Sequence, residues 1–176
     1  MNKLFITIQK QSFLIGLIII LALFRIIPHP PNFTPIIAVA IMSTYFFRNL
    51  YTSLGVILIS MLISDLLIGF YNNIIFVYLS LFLLTLAFYK FSTKINIKNL
   101  FMFGFIGSLI FFIISNFGVW ALGSAGVNNM PYEKSLSGLI ECYILAIPFF
   151  GNTFVSTVLF SYSAYLANYY YHKKFS

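Results

Sequence analysis

Charge is scarce in this sequence. Ten Lys and Arg and three Asp and Glu make up 7% of 176 residues, against roughly 25% in an ordinary soluble domain, which excludes a water-soluble globule. Cysteine is reduced to Cys142, so an internal disulfide is excluded, and without a CxxC pair or a His/Cys cluster a structural metal is not expected either. No Ser/His/Asp constellation, HExxH helix, Walker-type phosphate loop or Gly-rich dinucleotide fingerprint is present. The chain therefore reads as a non-enzyme with no cofactor. Internal repeats, low-complexity tracts and linkers are lacking as well, so residues 1–176 form one integral membrane domain.

What is abundant is apolar: 61% of the residues are hydrophobic. Several runs reach the roughly 17–25 residues needed to cross a hydrocarbon core about 30 Å thick. Hydropathy and breakers predict spans at about 12–27, 35–47, 53–70, 74–90, 99–122 and 137–170. Helices are the expected form, because lipid offers no partner to open backbone groups and the runs lack the alternation of barrel strands. The expected fold is thus an all-α bundle of six transmembrane helices in the lipid bilayer. A secretory signal would be followed by a polar mature domain; the first run is followed by more membrane and is read as a retained span.

The net charge of +7 comes from basic residues scattered singly or in pairs, a pattern that argues against nucleic acid. With six spans and both termini cytoplasmic, Lys3, Lys10, Arg48, Lys90, Lys94, Lys98, Lys173 and Lys174 fall inside, and only Arg25 and Lys134 fall outside. Short cytoplasmic loops are enriched in Lys and Arg, which points to the inner (cytoplasmic) membrane in that orientation. The last run would be about 50 Å long as one helix. Pro148 and Gly151 predict a kink or break there, with 138–148 as a half-helix or re-entrant piece near the outer face.

Polar groups inside lipid are costly, so they are where function is sought. Asp65, in Ser64-Asp65-Leu-Leu-Ile-Gly69, needs a partner under either of two readings: it pairs with Arg25 and holds helices together, or it binds a solute. Arg25, at a helix end, suits pairing or anchoring by snorkelling. Asn116, Trp120 and Gly123 recur at i, i+4 and i+7 on one face, placing an amide, an indole and a gap where a flat ligand would stack; interfacial placement of Trp120 is the alternative. Glu141, Pro148 and Asn152 share another face, continued by Ser156 and Ser163, which suits interhelical hydrogen bonds or binding. Gly138, Cys142 and Ala146 form a small-residue row in which Cys142 reads as packing. Gly104, Ser108 and Ser115 form another such row. The outer loop Pro28-His29-Pro30-Pro31-Asn32-Phe33-Thr34-Pro35 is stiffened by four prolines and presents Asn32 in a defined geometry. His29 and His172 fall on opposite sides of the membrane and cannot share a metal.

Several phrases carry a resemblance: Arg25-Ile-Ile-Pro28, Asn32-Phe33-Thr34-Pro35-Ile-Ile-Ala38-Val-Ala40, Ser64-Asp65-Leu-Leu-Ile-Gly69, Asn116-Phe-Gly-Val-Trp120, and the run from Gly138 through Glu141, Cys142 and Pro148 to Phe150. Over most of its length the chain resembles an uncharacterised family of small six-helix membrane proteins similar to the substrate-capture (S) components of energy-coupling-factor (ECF) vitamin transporters. The resemblance implies capture of a small vitamin-like solute from the outer face. It also implies docking on an energising ATPase module or another membrane subunit. The candidate solute-binding residues are Asn32, Asp65, Asn116, Trp120 and Glu141, with Arg25, Pro148 and Asn152 in structural or pairing roles. A non-transporting scaffold like the six-span rod-shape-determining protein is the alternative, and a lone proton- or ion-coupled carrier a third reading. Convergence of Asp65, Asn116 and Glu141 on one cavity would favour binding, and their dispersal a scaffold.

Overall fold

The computed structural model describes residues 12, 14–16, 18–21, 23–126 and 129–175. Lys3 and Lys10, part of the orientation argument, and several positions of the first expected span lie outside the described residues. Within that span, Leu14, Ile18 and Leu21 are buried at i, i+4 and i+7, one face of a helix. The described residues are all-α, apart from an isolated bridge between Ala125 and Pro131.

Six further helices follow: α1 (Ile36–Phe47), α2 (Leu50–Ile68), α3 (Ile74–Phe91, prolonged by a 3-10 turn at Ser92–Lys94), α4 (Leu100–Leu122), α5 (Leu136–Leu145) and α6 (Ile147–Phe175). Three of them, α2, α3 and α4, are long and apolar enough to cross a membrane, and the bent pair α5 and α6 makes a fourth if taken as one crossing. This is a membrane protein.

Of the six expected crossings, the described residues support three, or four with the bent pair taken as one; the first expected span lies partly outside them, and α1 is short. Its 12 residues rise about 18 Å, well short of a core about 30 Å thick. The continuous run Ile37–Thr44 is buried on every side, and α1 packs against α2, α3, α4 and α6. A helix that is apolar all round belongs inside a bundle.

The surrounding helices are amphipathic in the sense suited to lipid. On α2 the buried stripe is Ser53, Ile57, Met61, Ser64 and Asp65, at helical spacing, whereas Leu58, Ile59, Leu62, Ile63, Leu66 and Leu67 face outward. Polar groups turn inward and leucine turns toward lipid. Many buried hydroxyls return their hydrogen bonds to the preceding turn, as Ser80 does to the Val77 carbonyl (2.7 Å) and Thr85 to the Leu81 carbonyl (2.7 Å), which satisfies those donors within the helix; Ser124 and Ser161 are buried without such a partner. The Gly104 and Ser108 row meets α6: a Cβ on Gly104 would lie 3.1 Å from Val158 Cγ2, and Ser108 Oγ is 3.4 Å from Thr157 Oγ1.

Helices α5 and α6 meet at 45° around Ala146. The break lies two residues ahead of Pro148, because proline lacks the N–H that would bond the Ile144 carbonyl and disfavours helical geometry just before it. Pro148 itself sits in the first turn of α6, where a missing donor costs little.

The proline loop is docked rather than free. Asn152 Nδ2 donates to the Pro31 carbonyl (3.0 Å), Thr153 Oγ1 to that of Asn32 (3.4 Å) and Ser156 Oγ to that of Thr34 (3.0 Å). Non-helical backbone in a membrane bundle requires such partners. Substituting Asn152 by alanine removes one of them and is expected to lower stability by about 1 kcal/mol, measurable as a reduced melting temperature in detergent, with helix content unchanged by circular dichroism.

Candidate functional site

The proline loop, the residues joining α2 to α3, and the N-terminal end of α6 enclose a cavity of about 740 Å³. Its size and mixed lining suit a small organic molecule, since ligand pockets run to roughly 300–1,000 Å³ with a few placed polar groups on apolar walls. Phe111, Val77, Val119 and Phe149 supply apolar wall, and Asn32, Asn73 and Asn116 supply amides. Arg25, His29, Tyr71 and Tyr132 complete the polar lining, and no carboxylate is among the lining residues.

Arg25 is fixed from behind. Its Nη1 lies 2.6 Å from Asp65 Oδ1 in an ion pair, donates to Ser64 Oγ, and sits 3.5 Å from Met61 Sδ. Asp65 Oδ1 meets the guanidinium by charge alone, without hydrogen-bond alignment, while Oδ2 accepts from the Tyr78 hydroxyl at 2.9 Å. The Asp65 side chain is 0% exposed and that of Arg25 14%, so the carboxylate is sealed within the helices and the guanidinium reaches the cavity. Of the two readings of Asp65, the geometry supports pairing with Arg25.

Tyr71 lines the cavity beside this pair. Burial, followed by the Asp65 charge, pushes its phenol up from 10.0 to about 12, against an opposing pull from Arg25. A folded-state pKa above the unfolded value favours the folded state below pH 10, and that contribution is lost as pH rises through about 12. The expected observation is a tyrosinate absorbance step near pH 12 that is missing from Tyr71→Phe, which also loses less stability over that interval.

The remaining expected residues separate. Asn116 lines the cavity; its Nδ2 donates to the Phe112 carbonyl at 2.8 Å, which leaves the amide oxygen as an acceptor. Asn32 also lines it, in a left-handed turn at φ 61° that asparagine tolerates better than most residues. Trp120 faces elsewhere: its indole N–H donates to the Glu133 carbonyl at 2.9 Å, Lys134 Nζ lies 5.3 Å from its ring centre, and Lys134 also donates to its carbonyl. It pins the loop after α4. Glu141 is exposed on α5, Pro148 breaks the helix, and Asn152 holds the proline loop. Cys142 is buried against α4, with Sγ 3.5 Å from the Asn116 carbonyl.

Asp65, Asn116 and Glu141 therefore do not converge, whereas Arg25, Asn32 and Asn116 do, joined by His29, Tyr71, Asn73 and Tyr132. The available signal for the last group was Tyr71-Asn72-Asn73, a polar, aromatic break between two apolar runs, following Gly69. Among the described residues no cluster of three or more His, Cys, Asp and Glu is arranged for a metal.

The chain belongs to a family of unknown function (DUF6580), whose model matches residues 6–176. No curated protein matches the chain, and no solved structure does.

Proposed function

We propose that this family member is a membrane-embedded solute-binding subunit, similar in role to an S component, that captures a small vitamin-like molecule from the outer face. The observation that supports this most is the 740 Å³ cavity, in which amides and phenols from four separate parts of the chain meet one guanidinium. A group of donors and acceptors gathered from distant elements around an apolar-walled space is how solute sites are usually built. In this reading the bundle has both termini in the cytoplasm, α5 and α6 make one broken crossing, and the N-terminal helical segment and α1 complete a six-helix architecture. An ATPase module or another membrane subunit would supply energy for release.

The test is native mass spectrometry of the full chain, gently extracted from its own membranes. A bound, non-lipid mass in stoichiometric amount is the expected result. Asn116→Ala is expected to weaken its retention about tenfold, the effect of one buried polar contact, while the exposed Glu141→Gln leaves it unchanged. Separation of Asp65 and Glu141 from the cavity favours a second reading, a membrane scaffold. A co-purifying protein with no small mass, and no shift on adding a vitamin panel, would replace the capture reading with that one.

A further inference from the structure

The chemistry of Arg25 sets which solutes the cavity accepts. Three contacts that hold the guanidinium, those to Asp65, Ser64 and Met61, all meet Nη1. Arg25 also lines the cavity, where the Tyr71 side chain hydrogen-bonds with it. Among the described lining residues, Arg25 alone is charged at neutral pH regardless of surroundings, and its charge is balanced by a carboxylate 2.6 Å away that no solute can touch.

A solute carboxylate on the cavity side would meet a guanidinium already neutralised by Asp65 behind it and engaged by Tyr71. It would give up its hydration for a site with no net positive charge, and desolvation of ions outweighs such partial pairing. A cationic solute is served still less, because no carboxylate lines the cavity. A neutral solute fares differently. A carbonyl or ring nitrogen accepts a charge-assisted hydrogen bond from the guanidinium, and its remaining edge finds amides of Asn116 and Asn73 that both donate and accept. Phe111 and Phe149 offer apolar wall for its ring.

Building on the capture reading, we infer that the site selects an electrically neutral heteroaromatic solute that presents a hydrogen-bond acceptor to Arg25. Asp65 is the specificity-determining residue: it never touches the solute, and it removes the positive charge that would otherwise recruit anions.

The experiment compares matched probes on the full-length protein in nanodiscs: nicotinamide against nicotinate, and pyrazinamide against pyrazinoate, each read by thermal shift and by direct titration. The wild-type protein is expected to favour the neutral member of a pair by about tenfold. Asp65→Asn is expected to reverse that order, because an uncompensated guanidinium attracts the carboxylate, and Asp65→Glu to restore it. Where Asp65→Asn fails to fold, the double variant Arg25→Gln/Asp65→Asn keeps the site uncharged. It is expected to bind the amides more weakly without gaining affinity for the carboxylates. Preference of the wild-type protein for the carboxylates, an unchanged order in Asp65→Asn, or a gain for carboxylates in the double variant would each overturn the inference. Binding of none of the four probes overturns the solute class. If the native mass spectrum still holds a bound small molecule, the capture reading survives that failure, and if it holds none, both fall together.

Discussion

Replacing Arg25 by methionine is expected to destabilise the bundle by about 3–5 kcal/mol, the penalty for leaving one member of a buried ion pair alone. Asp65 is wholly enclosed and relies on Arg25 Nη1 and the Tyr78 hydroxyl. With the guanidinium gone, the enclosed carboxylate keeps one hydrogen bond and no countercharge. The companion variant Arg25→Met/Asp65→Leu removes both charges and is expected to recover most of the loss, since exchanging a buried pair for apolar groups is often neutral or favourable. Unfolding measured in bicelles for the two single variants and the double variant gives the coupling between the sites. Additive losses would mean that the pair contributes little to holding the N-terminal segment against α2.

A second large effect is expected where Gly118 of α4 packs against Phe76 of α3. A Cβ added to Gly118 would lie 2.4 Å from Phe76 Cγ and 2.5 Å from Phe76 Cβ. Atoms next to the backbone of α3 cannot swing aside as the tip of a long side chain can. Gly118→Ala is therefore expected to cost about 1–3 kcal/mol through overpacking, even though alanine is the better helix former. The same substitution spreads α3 from α4, carrying Asn73 and Val77 away from Asn116 and Val119, so affinity for any cavity solute should fall together with stability. Phe76→Ala in the Gly118→Ala background restores room and should return part of the stability. If Gly118→Ala melts like wild type, the close approach is not a requirement of the fold.

The helix bounds were largely legible in the sequence because apolar runs ended at breakers. The expected 74–90 and 99–122 became Ile74–Phe91 and Leu100–Leu122. The pairing of Arg25 with Asp65 was one of two readings the sequence left open, with Asp65 placed among the expected solute-binding residues. Two opposite charges in a very apolar chain suggest a pair without saying which of them also meets a solute. Depth within the bundle was not legible. Ile36–Phe47 reads like any apolar run, and only its 12-residue length distinguished a short buried helix from a crossing. Glu141 and Trp120 show the limit of helical-face arguments: spacing puts residues on a common face without saying whether that face turns inward, toward lipid or toward a loop. Tyr71, Asn73 and Tyr132 come from connections between helices, whose paths depend on tertiary closure and leave no periodic trace.

The docked proline loop also has a consequence for biosynthesis. Its carbonyl partners on α6 lie 121 residues further along the chain in the case of Asn152 and Pro31, and α1 is too short to settle across the bilayer by itself. When this region leaves the ribosome, the helices that will enclose it do not yet exist. The amino-terminal half must therefore wait, held at the insertion machinery or at the bilayer surface, until the last helix arrives and closes over it. A nascent chain from which Asn152 has not yet emerged would have its proline loop open to proteases, and one extended by a linker so that Ser156 has left the ribosome would have it protected.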